Sequence, residues 1–211
     1  MTDRKNSQTK EVLEILQAVE ETEHITQRHL AKRLGVALGL ANSYLKRCIK
    51  KGLVKVRQAP ANRYLYYLTP KGFAEKSRLT AEYLAESFSF YRTAGESLQE
   101  VFGHCAGKGW RTILLAGRSE LAEIGCLKAM GQGLSIAGIV DLDCKGGAES
   151  FLGHPVFRSL AQVPDFDVCV LTDLKSPAET AAEIESCIGA ERLLIPGILK
   201  RYLPAKAPEE K

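Results

Sequence analysis

The stretch from Thr26 to Gly52 constrains this chain most, because two amphipathic helix patterns follow one another there across a turn of a few residues. Thr26 suits an N-cap for QRHLAKRLG, in which Leu30, Ala31 and Leu34 recur at helical spacing and Gly35 supplies the stop. After Val36 and Ala37, the run LGLANSYLKRCIKKG gives Ala41, Leu45, Cys48 and Ile49 one inward face and turns Asn42, Ser43, Lys46, Arg47 and Lys50 elsewhere, with Gly52 ending the helix. Upstream, from Thr9, Val12, Leu13, Ile15, Leu16 and Val19 form a broad apolar stripe that predicts a further core helix. Downstream, LVKVRQ, APAN and RYLYYLT read as strand, turn and returning strand. This is the pattern of a helix-turn-helix followed by a hairpin wing, with the second helix of the pair free to enter a major groove.

Charge points the same way. The net charge of +4 conceals an asymmetry: residues 24 to 78 hold 13 Lys and Arg against one acid, Glu75, whereas residues 111 to 211 hold 11 against 14 acids. An excess of this size on about 55 residues favours a polyanionic partner. Double-stranded DNA is the partner expected, with Asn42, Ser43 and Lys46 as candidates for base edges. Arg28, Lys32, Arg47, Lys50, Lys51, Arg57 and Arg63 are the phosphate candidates, Lys55 lies on the wing with them, and Asn62 stands at its tip.

After the wing, Thr69 and Pro70 suit the cap and first turn of a new helix within YYLTPKGFAEKSRLTAEYL. This string, together with the run from Ile25 to Val56, resembles the MarR-type winged-helix regulators associated with exopolysaccharide gene clusters, over roughly residues 10 to 90. The resemblance implies duplex DNA binding as a dimer and a link to polysaccharide genes. From Pro70 to about His104, Leu84, Phe88, Tyr91, Gly95, Leu98 and Phe102 recur at spacings of four and three, a heptad seam. Its two readings are packing against the chain's own lobes and pairing with a second subunit, and a homodimer is the expectation.

The second half changes period. WRTILLAG reads as a buried strand, RSELAEIGCLKAMGQG as a helix and LSIAGIVDLD as a second strand, making a βαβ unit; FDVCVLT, PAETAAEIESCIG and RLLIPG continue the alternation. The fold class expected is α/β overall, a winged helix-turn-helix followed by a small Rossmann-like parallel α/β domain. The divisions expected are residues 1–69 for the winged helix, 70–108 for a connecting helix, 109–204 for the Rossmann-like lobe and 205–211 for a tail. The turn Gly117-Arg118-Ser119-Glu120-Leu121-Ala122 departs from the dinucleotide fingerprint G-x-G-x-x-G at its second glycine, where Ser119 stands. Gly117 suits the tight turn, Ala122 the close helix packing, Arg118 could supply charge, and Asp141, with Asp143 behind it, ends the second strand where an acid can hold a ribose hydroxyl. Gly117, Arg118, Ser119, Glu120, Ala122, Asp141 and Asp143 are therefore the cofactor-binding candidates.

This half resembles the nucleotide-binding lobe of Rex repressors and the nucleotide-sugar lobe of sugar acyltransferases, over about residues 110 to 200. The ligand stays open between NAD(H), a nucleotide sugar or another nucleotide-containing small molecule, and a lobe that only assembles subunits is the alternative. A regulator rather than an enzyme is the expectation, with no catalytic residue assigned. The competing reading, a nucleotide-sugar or NAD-linked enzyme carrying a winged helix, rests on His154 alone. The polar opening MTDRKNSQTK has no secretory core, no segment approaches the ~20 apolar residues of a membrane span, and a cytoplasmic protein without a membrane partner is expected. The six cysteines stand singly, without metal-ligand spacing, so reduced thiols and no metal are expected.

Overall fold

A computed structural model describes residues 2–22, 25–59, 63–142 and 150–204, with side chains from residue 9 onward except those of residues 59 and 63. Asn62, Asp143, Cys144 and the tail from residue 205 lie outside the described residues, as does the side chain of Arg63. The chain divides into two compact units, Met1–Phe88 and Ser89–Lys211.

The first unit contains α1 (Thr2–Glu21), α2 (Gln27–Leu34), α3 (Leu38–Lys50), β1 (Val54–Ala59), β2 (Arg63–Leu68) and the start of α4 (Pro70–Lys108). Both ends of α2 have a chemical cause. Thr26 caps α2 by accepting the His29 N–H at 3.1 Å, and Gly35 ends it at φ 63°, a left-handed conformation that costs glycine no side-chain clash. β1 and β2 pair antiparallel from Val54 opposite Leu68 to Ala59 opposite Arg63. The core joins Leu13, Ile15, Leu16 and Val19 of α1 to Leu30, Leu45, Cys48, Leu53, Val54, Tyr66 and Leu79.

The string LTPKG acquires a physical account here. Thr69 Oγ1 donates to the Gly52 carbonyl at 2.7 Å and accepts the Gly72 N–H at 2.9 Å, capping α4 while tying it to the end of the α3 turn. Gly72 has no room for a side chain, since a Cβ there would meet the Leu53 carbonyl oxygen at 2.1 Å.

α4 is a single helix of 39 residues, and Gly95 does not interrupt it. Its seam divides. Leu84, Phe88 and Tyr91 are 46%, 64% and 47% exposed, whereas Gly95, Leu98 and Phe102 are buried. Leu98 and Phe102 pack into the second unit's own core, so packing within the chain accounts for the C-terminal half of the seam only. The connecting helix thus contributes its final turns to the α/β unit.

The second unit is built on a six-stranded sheet in the order β5-β6-β4-β3-β7-β8, with β3 (Thr112–Ala116), β4 (Ser135–Val140), β5 (Ser150–Phe151), β6 (His154–Phe157), β7 (Val168–Leu171) and β8 (Leu193–Leu194). Every pairing is parallel except β5 with β6. β3 lies at the centre, and Ile113, Leu114, Leu115 and Ala116 are wholly buried, as a strand covered on both faces requires. α5 (Glu120–Gly131) and α6 (Pro177–Ile188) supply the crossovers. The segment FLGHPVF, given no strand by the sequence reading, forms the β5–β6 hairpin around Leu152 and Gly153, whose φ values are 50° and 81°. No described helix is long and apolar enough to cross a membrane.

Cys48, Cys105, Cys126 and Cys169 are buried and Cys187 is exposed. Burial pushes the Cys48 thiol up to about 11 and Cys169 up to about 12. A thiol reagent at neutral pH is expected to label Cys187 readily and these four only on unfolding; fast labelling of Cys169 in the folded protein would contradict the packing. Because the folded pKa values are raised, the thiols' contribution to stability is complete below the unfolded pKa of ~8.5 and is lost as pH rises toward the folded values. Stability should accordingly fall between about pH 9 and 12, and less steeply in Cys169→Ala.

Candidate nucleic-acid interface and sheet-edge groove

The face of the first unit is fixed by which cations find acids. Arg33 pairs with Glu21 at 2.5 Å, Lys76 pairs with Glu20, and Arg78 with both Glu75 and Glu82. Arg33 holds the Glu21 carboxyl below the usual carboxylate range, first by hydrogen bonding, and Arg78 does the same for Glu75. Among the described residues, Arg28, Lys32, Lys46, Lys50, Lys51, Lys55 and Arg57 enter none of the unit's ion pairs, and all seven are exposed. They lie on α2, on α3 and its C-cap, and on β1. Glu20, Glu21, Glu75 and Glu82 are thus engaged on α1 and α4, and positive charge is left on the helix pair and wing.

α3 presents Ser43, Lys46, Arg47 and Lys50 outward, while Ala41, Leu45 and Cys48 are buried on the opposite side. Asn42 differs from the other candidates. It is half-buried on the flank of the helix, and its Oδ1 is buried without a hydrogen-bond partner among the described residues. The sequence reading missed Leu40, 44% exposed one turn before Ser43; a search limited to polar and basic side chains passes over it.

In the second unit the order of strands reverses on either side of β3: β4 pairs with one edge of it and β7 with the other. Ligands of open α/β sheets occupy the crevice at the C-terminal strand ends at such a point. The structure brings Gly117, Arg118, Ser119, Glu120, Ala122 and Asp141 together there, but their local bonds differ from those of a dinucleotide cradle. Ser119 Oγ accepts the Leu121 and Ala122 N–H groups at 3.1 and 3.4 Å and donates to the Thr172 carbonyl at 2.5 Å. The amides that would receive a pyrophosphate are capped by the chain's own hydroxyl.

Gly117, at φ 104°, makes its close approach to protein instead of ligand, for a Cβ there would meet backbone and side-chain atoms of Asp173 within 2.6 Å. Asp173 is itself engaged: its carboxylate accepts from the Lys175 N–H at 2.8 Å and from Thr180 Oγ1 at 2.6 Å. Arg118 Nε lies 3.4 Å from Asp141 Oδ2, so the acid at the β4 end is paired with a cation of the same turn. These residues do not fit a dinucleotide held by its pyrophosphate on the α5 amides. Beside them is a groove of about 410 Å³ lined by Arg118, Ser119, Glu120, Glu123, Phe151, Leu174 and Lys175. His154, on β6 opposite Phe151, is not among its lining residues. Among the described residues no group of His, Cys, Asp and Glu side chains is placed to hold a metal ion.

No curated protein matches this sequence. Among solved structures, the chain is similar to MepR, a transcription regulator of the Staphylococcus aureus multidrug efflux pump MepA, at 18% identity and a TM-score of 0.35, over 40% of this chain and 62% of that one. It therefore spans less than two thirds of MepR. It is also similar to the zinc-dependent MarR family regulator AdcR in its Zn(II)-bound state, at 19% identity and a TM-score of 0.33, over 49% of this chain and 73% of that one. Human N-acetylserotonin methyltransferase in complex with SAM aligns at 13% identity and a TM-score of 0.31, over 90% of this chain and 74% of the enzyme. With identities below 25% and TM-scores below 0.5, none of these likenesses says anything of this chain's activity. The sequence match is more specific: residues 12–55, from α1 through α3 into β1, fit the family described as winged helix-turn-helix DNA-binding. Those residues form a winged helix-turn-helix of the DNA-binding type, followed in the same chain by a largely parallel α/β unit.

Proposed function

We propose that this protein is a transcription regulator of the MarR type that binds duplex DNA as a homodimer through α3 and the wing, and whose α/β unit receives a small effector. The observation that carries the reading is the set of seven exposed cations outside the unit's ion pairs, on the helix pair and wing of a winged helix-turn-helix. Ser43 faces the base edges in this reading; Lys46, Arg47 and Lys50 on the same face of α3, with Arg28, Lys32, Lys51, Lys55 and Arg57, meet phosphates, joined by Asn62 and Arg63 at the wing. Asn42 acts at the margin, because its carbonyl oxygen is buried.

Support for the dimer comes from the exposed half of the α4 seam. Leu84, Phe88 and Tyr91 put apolar area in water on one face of a long helix, which a second copy would cover. The effector reading rests on the groove lined by Arg118, Glu120, Glu123 and Lys175, whose charges of both signs suit a polar small molecule. A nucleotide-containing ligand would lie in this groove with Arg118 as its anchor, and NAD(H) bound in the usual cradle is disfavoured by the Ser119 cap.

Selection of duplexes from a random pool by the full chain tests the reading. Enrichment of two half-sites related by a dyad is expected, because a two-fold protein dimer reads a palindrome. Recovery of unrelated sequences that bind no better than the starting pool would overturn it. Adding NAD(H), a UDP-sugar or acyl-CoA to the selected complex then tests the effector, which must bind the two states of the protein differently to act.

A further inference from the structure

The outer face of α3 is not uniformly basic. Read from its N-terminal end, it runs from Gly39 and Leu40 through Ser43 to Lys46, Arg47 and Lys50, positions joined by steps of three and four residues and all exposed. The cations occupy the last two turns, and the leading turn is apolar. Leu40 is 44% exposed, and the core residues of the helix, Ala41, Leu45 and Cys48, point the other way. Gly39 beside it is not required by packing, because an added Cβ would meet nothing within 4 Å. It leaves the backbone bare next to Leu40, although glycine is a poorer helix former than alanine.

A singly exposed leucine on a protein surface needs no explanation. Leu40 is set apart by its company. It shares a face with cations whose charge selects a polyanion, and the N-terminal residues of a recognition helix are the ones that reach base edges. An apolar side chain gains nothing from phosphate. What a duplex offers it in the major groove is the C5-methyl group of thymine, and Ser43, one turn further on, can donate to or accept from either kind of base pair.

We propose that Leu40 is a specificity-determining residue that reads a thymine methyl group in the major groove, with Ser43 reading the neighbouring base pair and Lys46 and Lys50 supplying sequence-independent affinity. This rests on the reading of α3 as the DNA-contacting helix. It adds that the half-site contains a thymine recognised by its methyl group and not by its hydrogen-bonding edge.

Uracil separates the two, since it keeps the base-pairing and groove-edge hydrogen bonds of thymine and lacks only the methyl. The full chain is titrated with the selected duplex and with versions in which each thymine of one half-site is replaced in turn by uracil, for the wild type, Leu40→Ala and Leu40→Met. For the wild type, replacement at one or two positions is expected to weaken binding by about fourfold, the worth of one buried methyl group. Leu40→Ala should bind the thymine duplex several-fold more weakly and be indifferent to the same replacement, because the interaction is then already absent. Leu40→Met should restore the discrimination. Selective binding that persists while no uracil position depends on residue 40 overturns the proposal and leaves DNA recognition by α3 standing. Failure of the wild type to prefer any duplex overturns the functional reading itself, and this assignment with it.

Discussion

Phe102→Ala is expected to destabilise the α/β unit by about 3–5 kcal/mol, whereas Phe88→Ala, two heptads earlier on the same helix, should cost under about 1 kcal/mol in the monomer. Both phenylalanines occupy the seam of α4. Phe102 is wholly buried and belongs to the cluster that includes Leu98, Ile113, Leu115 and Leu121, so truncation removes transfer free energy and leaves a cavity. Phe88 is 64% exposed, and truncation there removes mainly surface. Denaturant unfolding of the two variants at low protein concentration checks the contrast. Their self-association should differ in the opposite sense, because Phe88 belongs to the face assigned to the second copy. A Phe88→Ala variant that sediments like the wild type at every concentration would remove α4 from the dimer account.

The second large effect concerns DNA. Replacing Lys46 and Lys50 together by alanine should lower affinity for all duplexes alike and reduce the slope of log K against log salt by about 1.8, if each lysine neutralises one phosphate at 0.9 per contact. The fold should tolerate both changes, since each side chain is exposed and neither enters an ion pair among the described residues. Arg33→Ala is the matched control: its guanidinium is held by Glu21 in a bidentate pair, so its loss should leave the salt slope nearly unchanged.

α2, α3 and α4 were legible from local punctuation or from an apolar period. Thr26 and Gly35 bound α2, Thr69 and Pro70 open α4, and the apolar period of α3 separates Ala41, Leu45 and Cys48 from the basic face. The strands β3, β4, β7 and β8 were also legible, as apolar runs alternating with helices. The β5–β6 hairpin was not. Its turn uses Leu152 at φ 50°, a conformation that leucine seldom adopts, so nothing in FLGHPVF announces a two-residue turn as Asn-Gly would.

The seam of α4 was legible as a period but not as a division, because spacing alone does not tell which turns meet a sheet and which meet solvent. The candidate ligand turn shows the same limit. The substitution of serine for the second fingerprint glycine is visible at position 119, but its use as a cap on the amides of Leu121 and Ala122 depends on the carbonyl of Thr172, 53 residues away. Leu40 was not legible because spacing puts it off the inward face of α3 without showing that it stands exposed beside the basic residues.

The central claim is that the outer face of α3 holds duplex DNA, and the salt dependence of binding by the full chain tests it most directly. Titrating one selected duplex over a series of salt concentrations, the account predicts a steep linear fall of log K with log salt for the wild type, a slope shallower by about 1.8 for Lys46→Ala/Lys50→Ala, and little change for Arg33→Ala. A wild-type slope near zero, or a double variant with the wild-type slope, would contradict it.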